Sequence, residues 1–242
     1  MSHVGASIGV LYKLDHSTIG RLEKTIAQEV DCIEIGFGYD YQIMRFNPYA
    51  AKKLIPENVS HVSIHAPFRN IQYDGKSFHV LTKLMEIVDV LDVEGVVMHP
   101  NIIDESMWSI LEYIELPILI ENMDIVGKFG TTLNDFVQIK KEFSTFNYAF
   151  DIFHAYQNDK TMTYARDLIK ILDSKIKEIH VSGKIESPIE RRHAPLHISK
   201  NPEIIKLLSE LKSVPWLSEA IIRDLPEFKR ELDFLKTLNS SN

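Results

Sequence analysis

Residues 117–122 read PILIEN, an apolar run that stops at Glu121. The same phrase returns along the chain. Residues 62–67 read VSIHAP and end their apolar run on His65, and residues 95–100 read GVVMHP and end on His99. Residues 147–154 read NYAFDIFH, with Asp151 and then His154; residues 178–184 read EIHVSGK, with His180; residues 216–220 read WLSEA, with Glu219. Short runs rich in Val, Ile and Leu, bounded by polar residues, read as strands buried on both faces. Each of these strands ends in one residue of the kind that binds metal.

Working outward, strands are expected at 6–11, 32–36, 59–65, 95–99, 117–121, 147–151, 178–181 and 216–220. Helical patterns fall between them, at 16–29, 48–54, 77–91, 104–114, 132–143, 161–172, 202–211 and 226–238. In residues 77–91 the apolar positions Val80, Leu81, Leu84, Ile87, Val88 and Leu91 follow a helical period. Pro202 and Pro226 suit the first turn of a helix. Strict strand–helix alternation calls for parallel strands with helical crossovers. Eight such units in 242 residues predict a closed (β/α)8 barrel, one domain over residues 1–242. The alternative is an open doubly wound sheet. It needs a glycine-rich phosphate turn, and Gly36 and Gly38 supply only a weak trace of one.

Composition narrows the function classes. The chain is 45% hydrophobic and 25% charged, ordinary values for a globular domain. Its single cysteine, Cys32, forbids an internal disulfide. The start lacks the pattern of a signal peptide, and no run approaches the roughly 20 apolar residues of a membrane helix. A cytoplasmic protein without a membrane partner is expected. The net charge of −7 provides no global field for nucleic acid. Local arginines, or cations held among the carboxylates, can reverse that sign where it matters.

In a (β/α)8 barrel all strand C-terminal ends converge on one face. His65, His99, Glu121, Asp151, His180 and Glu219 then meet, with His154 and His193 close behind. Imidazole mixed with carboxylate suits zinc, manganese, iron or cobalt. Carboxylates crowded at adjacent strand mouths repel one another unless a cation joins them. Three carboxylates and five imidazoles exceed one tetrahedral shell, so two ions are expected. His3, His16, His61, His79 and His197 read as ordinary hydrogen-bonded core or surface residues. Glu34 is balanced between a structural and a site role.

On these motifs the chain resembles the superfamily that joins apurinic endonuclease family 2 (endonuclease IV) with xylose isomerase-like isomerases and epimerases. Resemblance to the endonuclease implies that His65, His99 and a bridging Glu121 hold one zinc. Glu121, Asp151, His180 and Glu219 would hold a second. His154 and His193 would share a third with an aspartate two residues before His193, where this chain has Arg191. Arginine cannot ligate a cation. Arg191 and Arg192 are instead candidates to grip a phosphate or carboxylate, with Glu190 a possible substitute ligand. Arg69 after strand three and Lys184 after strand seven are further candidate substrate contacts. Tyr39, Tyr41, Arg45, Phe46 and Phe68 would form a rim.

Three functions follow as expectations. The first is phosphodiester hydrolysis, at abasic DNA or a related substrate, by two zinc or manganese ions bridged by Glu121. The second is isomerisation or epimerisation of a sugar or sugar phosphate. There the quartet Glu121, Asp151, His180 and Glu219 holds one ion, and Glu121 and Glu219 exchange the proton. The third is a ligand-binding barrel without catalysis.

Overall fold

The computed structural model describes residues 3–186 and 191–241. Eight parallel strands close on themselves: β1 Val4–Ser7, β2 Cys32–Gly36, β3 His61–His65, β4 Gly95–Met98, β5 Ile118–Glu121, β6 Asn147–Asp151, β7 Ile176–Val181 and β8 Trp216–Ser218. Closure is made where β1 pairs with β8 through Val4↔Trp216 and with β2 through Gly5↔Cys32. The contact with β2 is so close that a Cβ at position 5 would lie 1.7 Å from the Cys32 carbonyl oxygen, so only glycine fits. The (β/α)8 architecture read from the alternation is the one observed. No helix among the described residues is long and apolar enough to cross a membrane.

The departures have local causes. The first strand, expected at 6–11, ends at Ser7, and Ile8–Leu11 winds into a 3-10 turn. That turn still buries Ile8, Val10 and Leu11, and hydrophobicity alone does not separate the two states in so short a run. Residues 37–46, expected as a loop, contain the short helix Asp40–Arg45. An extra helix, Ile152–Asn158, starts directly at the end of β6. After β7 the chain forms a small antiparallel hairpin, Gly183–Ile185 with Arg191–Ala194. The hairpin's outgoing end is held by Glu231 of the last helix, which accepts from Leu196 N at 2.8 Å and His197 N at 3.0 Å.

Side chains alternate across each strand, so one set faces the helices and the other the barrel axis. The helix-facing set (Ile33, Ile35, Ile64, Val96, Ile120, Phe150, Ile179 and Trp216) belongs to the main apolar core. The axial set contains only a small separate apolar cluster, Val97, Leu119 and Ala149. Apart from Leu217 and Cys32, much of the rest of the axis is polar. His61 Nε2 meets Glu178 Oε2 at 2.7 Å, and the other Glu178 oxygen meets His180 Nε2 at 3.1 Å. His61 Nδ1 lies 3.2 Å from Glu94, which is 59% exposed. A chain of alternating carboxylates and imidazoles thus runs from solvent at one end of the barrel to His180 near the other.

This chain ties stability to pH. Burial alone would raise Glu178, but His180 and His61 pull it down from 4.5 to about 2. Burial would likewise lower His61, and Glu178 and Glu94 raise it instead. A carboxylate held low in the folded state stabilises above its unfolded value of 4.5, and that contribution is lost as pH falls towards 2. An imidazole held high stabilises below its unfolded value of 6.5, and that contribution is lost as pH rises through the elevated folded value. Glu178→Gln is therefore expected to lower stability by about 3 kcal/mol between these limits, where both charged forms persist. Thermal melts from pH 3 to 9 check this. A Tm difference from the parent that stays constant across the range contradicts the assignment.

Candidate metal centre

Glu121, the last residue of β5, is buried and surrounded by imidazoles. Its Oε2 lies 2.8 Å from His99 Nε2 and 3.3 Å from His65 Nε2. Its Oε1 lies 3.1 Å from His180 Nδ1 and 3.9 Å from His154 Nδ1. The His65 and His99 Nε2 atoms are 3.2 Å apart. On the far side, His180 Nδ1 is 3.4 Å from Glu219 Oε1. Among the described residues the ligand-type atoms fall into three sets, of which two share Glu121: His65, His99 and Glu121, then Glu121, Asp151, His180 and Glu219; the third, Glu34, Glu178 and His180, lies behind them. Within each set the atoms lie within 4.8 Å of one another.

Local structure orients these groups. Asp151 ends β6 and caps the following helix, its Oδ1 accepting from His154 N at 2.7 Å. The Asp-x-x-His spacing is thus a helix cap that sets His154 beside Asp151. Asn122 clamps the same strand end, since its amide donates to the Asp151 carbonyl at 2.8 Å and its Oδ1 accepts from Asp151 N at 2.8 Å. His65 Nδ1 donates to the Ala66 carbonyl at 3.0 Å, and His154 Nδ1 to the Asn122 carbonyl at 2.9 Å. A carbonyl only accepts, so both rings keep their proton on Nδ1, and Nε2, which on His65 faces Glu121, is the nitrogen left for a cation.

The donor set fits one or more divalent cations. Asp151 Oδ2 is buried with no hydrogen-bond partner, and both Glu34 oxygens are equally orphaned. Glu34 Oε2 lies 3.3 Å from His180 Nε2, but that nitrogen is already hydrogen-bonded to Glu178. Burial drives Glu219 well above the ordinary carboxylate range, reinforced by Glu121, Glu34 and Asp151 and opposed by His180. Glu121 goes the other way, held well down by His99 and His180 against the effect of burial. Burial would lower His65, yet Glu121, Glu34 and Glu219 carry it up to about 9. This excess of buried carboxylate is the field a cation relieves.

His193 hydrogen-bonds Ser182 Oγ through Nδ1 at 3.2 Å, and its ring meets His154 edge-on at 5.7 Å between centroids. Among the described residues no three-donor group includes His154 or His193. Glu190 and the side chain of Arg191, where a third site would be completed, lie outside the described residues.

A cavity of about 780 Å³ opens beside the cluster, bounded by Glu219, His65 and His193 on one side and by the ends of β1 and β2 on the other. Its rim is aromatic: Tyr39 and Tyr41 stack at 5.7 Å, and Phe68 packs on His65 at 4.8 Å and on His99 at 5.0 Å. Arg69, expected to touch substrate, donates from Nη1 to Asp40 at 2.6 Å and lies 3.8 Å from Asp74. Arg192 is paired with Asp124. Lys184 Nζ lies 3.7 Å from Glu186. His16, expected to be an ordinary surface residue, lines the cavity. Glu178 and His61, not expected at the site, stand directly behind His180. The signal for Glu178 was its position two residues before His180, on the same face of the strand.

No family model matches the sequence, and no curated protein matches it either. Solved structures do match over nearly the full chain. A D-tagatose 3-epimerase-like protein is 19% identical over 98% of this chain and 97% of its own, with a TM-score of 0.71. Endonuclease IV from Thermus thermophilus is 16% identical over 91% of this chain and 93% of its own, with a TM-score of 0.68. A xylose isomerase domain containing protein from Salmonella typhimurium is 13% identical over 99% of this chain and 98% of its own, with a TM-score of 0.71. At these identities the likeness is one of fold, and the chain folds as a xylose isomerase-like (β/α)8 barrel.

Proposed function

We propose that this protein is a divalent-metal-dependent phosphoester hydrolase. The observation that carries the reading is the pair of ligand sets sharing Glu121. His65, His99 and Glu121 would hold one cation, and Glu121, Asp151, His180 and Glu219 a second, with zinc or manganese suited to this mixture. When bound, such a pair supplies Lewis acidity and neutralises charge on a phosphoryl group. The chain's own part is positional. Glu121 offers one carboxylate oxygen to each set. Asn122 and the cap at Asp151 fix the second set, and Glu178 turns His180 so that Nδ1 faces it. Phe68 covers the His65–His99 edge and limits water there. Abasic DNA, on which resemblance to the endonuclease focuses, and smaller phosphodiesters are the candidate substrates.

A second reading is isomerisation or epimerisation of a sugar or sugar phosphate. The aromatic-rimmed cavity favours it, because about 780 Å³ suits a small ligand. So does the engagement of Arg69 and Arg192 by carboxylates, which leaves less positive charge for a DNA backbone. Glu121 and Glu219 would then take and return the proton.

Two measurements separate these. Metal analysis of protein purified without chelator should find close to two equivalents after reconstitution. His65→Ala with His99→Ala should reduce this to about one, since Glu121, Asp151, His180 and Glu219 still form a set. An unchanged stoichiometry refutes the first position. The metal-loaded protein should nick a duplex carrying one abasic site, or cleave bis(p-nitrophenyl) phosphate, and Glu121→Gln should lower that rate by about 100-fold or more. Absence of both activities with two cations bound, together with solvent exchange into a ketose beside its carbonyl, would transfer the assignment to the second reading.

A further inference from the structure

Arg21 lines the cavity that holds Glu219 and His65, yet belongs to neither ligand set. It sits in the helix Thr18–Ile26 and is 4% exposed. A guanidinium carries five N–H donors and keeps its charge. Among the described residues Arg21 makes one side-chain hydrogen bond, Nη2 to Thr18 Oγ1 at 3.3 Å. Its Nε is buried without a partner. No described carboxylate forms an ion pair with it. The acid in its surroundings, Asp15, is already taken: Asp15 accepts from Lys24 Nζ at 2.5 Å and from Ser17 N at 2.8 Å. Gly20 permits that arrangement, since a Cβ there would lie 2.4 Å from the Asp15 carboxylate.

A buried guanidinium with no direct ion pair, helped only by the more distant charge of Asp15, is costly unless something that enters the cavity pairs with it. Burial indeed pulls Arg21 below the ordinary arginine value. Arg69 and Arg192, which do not line the cavity, contrast with it, for both are spoken for by aspartates. Room is provided by Ser7, Gly9 and Gly36 at the ends of β1 and β2, where small residues keep the floor open. Tyr41 and Gln42, from the helix Asp40–Arg45, wall the same space.

We propose that Arg21 is the anchor for an oxyanion, phosphate or carboxylate, carried by a small acidic substrate. The anion sits on the β1–β2 side of the cavity and directs the rest of the molecule towards Glu219 and His65. This names the substrate class of the site described above and rests on the cavity being the substrate site. It holds for either reaction considered there.

The test is calorimetric titration of the metal-loaded full chain with inorganic phosphate and, separately, with acetate. The parent, Arg21→Gln, Arg21→Lys and Glu121→Gln are compared. Arg21→Gln should weaken binding of the preferred anion by about tenfold or more, with Arg21→Lys between it and the parent. Glu121→Gln should retain the Arg21-dependent binding. Saturation by phosphate at the lower concentration identifies a phosphorylated substrate, and by acetate a carboxylic one. Because a substitution could disturb folding, the Arg21 Nε–H resonance of the parent is followed during the same titrations and should shift on saturation. Parent affinity in Arg21→Gln, or an unmoved resonance at saturation, overturns the proposal. Phosphoester cleavage that is absent while anion binding depends on Arg21 removes the hydrolase reading and leaves the anchor standing. Glu121-dependent cleavage with no effect of Arg21→Gln on anion affinity removes the anchor alone.

Discussion

The carboxylate of Glu121 is the group on which the arrangement of this barrel depends. It is 1% exposed and lies within 3.3 Å of nitrogen atoms from three imidazoles on three other strand ends. An ionised carboxylate so deeply buried is tolerable only with compensating charge. Barrel closure supplies it, by bringing β3, β4, β5 and β7 around one axis so that residues 56 and 59 apart in sequence touch. The compensation is incomplete. Asp151, Glu219 and Glu34 crowd further carboxylates around it, burial driving Glu219 well above the ordinary range, and Asp151 and Glu34 keep oxygens with no hydrogen-bond partner. A divalent cation would answer both at once, the crowding of carboxylates and the unused lone pairs.

Behind this cluster stands a second layer that limits its freedom. Glu178 occupies one nitrogen of His180 and leaves the other to face Glu121 and Glu219. Backbone carbonyls do the same for His65 and His154. Each imidazole therefore has one nitrogen committed to structure and one available for chemistry, which is the division that a preorganised site requires. The continuation through His61 to Glu94 couples the site to the opposite end of the barrel. An axis filled by charged side chains instead of stacked aliphatic layers gives up packing for this orientation.

The fold was legible because one signal repeated. Apolar runs ending in His65, His99, Glu121, Asp151, His180 and Glu219 marked the strands, and parallel closure put those ends together. Where the signal was ambiguous, at residues 8–11, an apolar segment that buries equally well as strand or helical turn took the second form. The cavity wall was much less legible. Arg21 lies on a helix whose pattern marks it as one charged residue among several, and its burial follows from the packing of that helix on the 3-10 turn after β1 and on β2. The state of Arg69 and Arg192 was hidden for the same reason, since their partners Asp40 and Asp124 come from other loops. Strand periodicity reports what faces the axis. It carries no information about which loop charges pair.

That asymmetry bears on the reaction itself. Glu121, Asp151, His180 and Glu219 satisfy the needs of both hydrolysis and proton transfer, so the most legible residues discriminate least between them. Discrimination lies in two additions. His65 and His99 enlarge the ligand set on one side of Glu121, and their 3.2 Å approach is difficult to rationalise as an isolated contact between a buried and a half-buried imidazole. The second addition is the cavity, whose walls come from loops after β1, β2 and β3. The Arg21 guanidinium on the helix beside those loops and the ligand cluster at the cavity's edge would give one molecule two points of attachment. Two points fix orientation where one fixes only affinity, and a reacting atom must be oriented before any metal chemistry can distinguish it from its neighbours. On the proposed reading the strand ends provide the reactivity of this barrel, and the charges in the cavity wall decide which bond meets it.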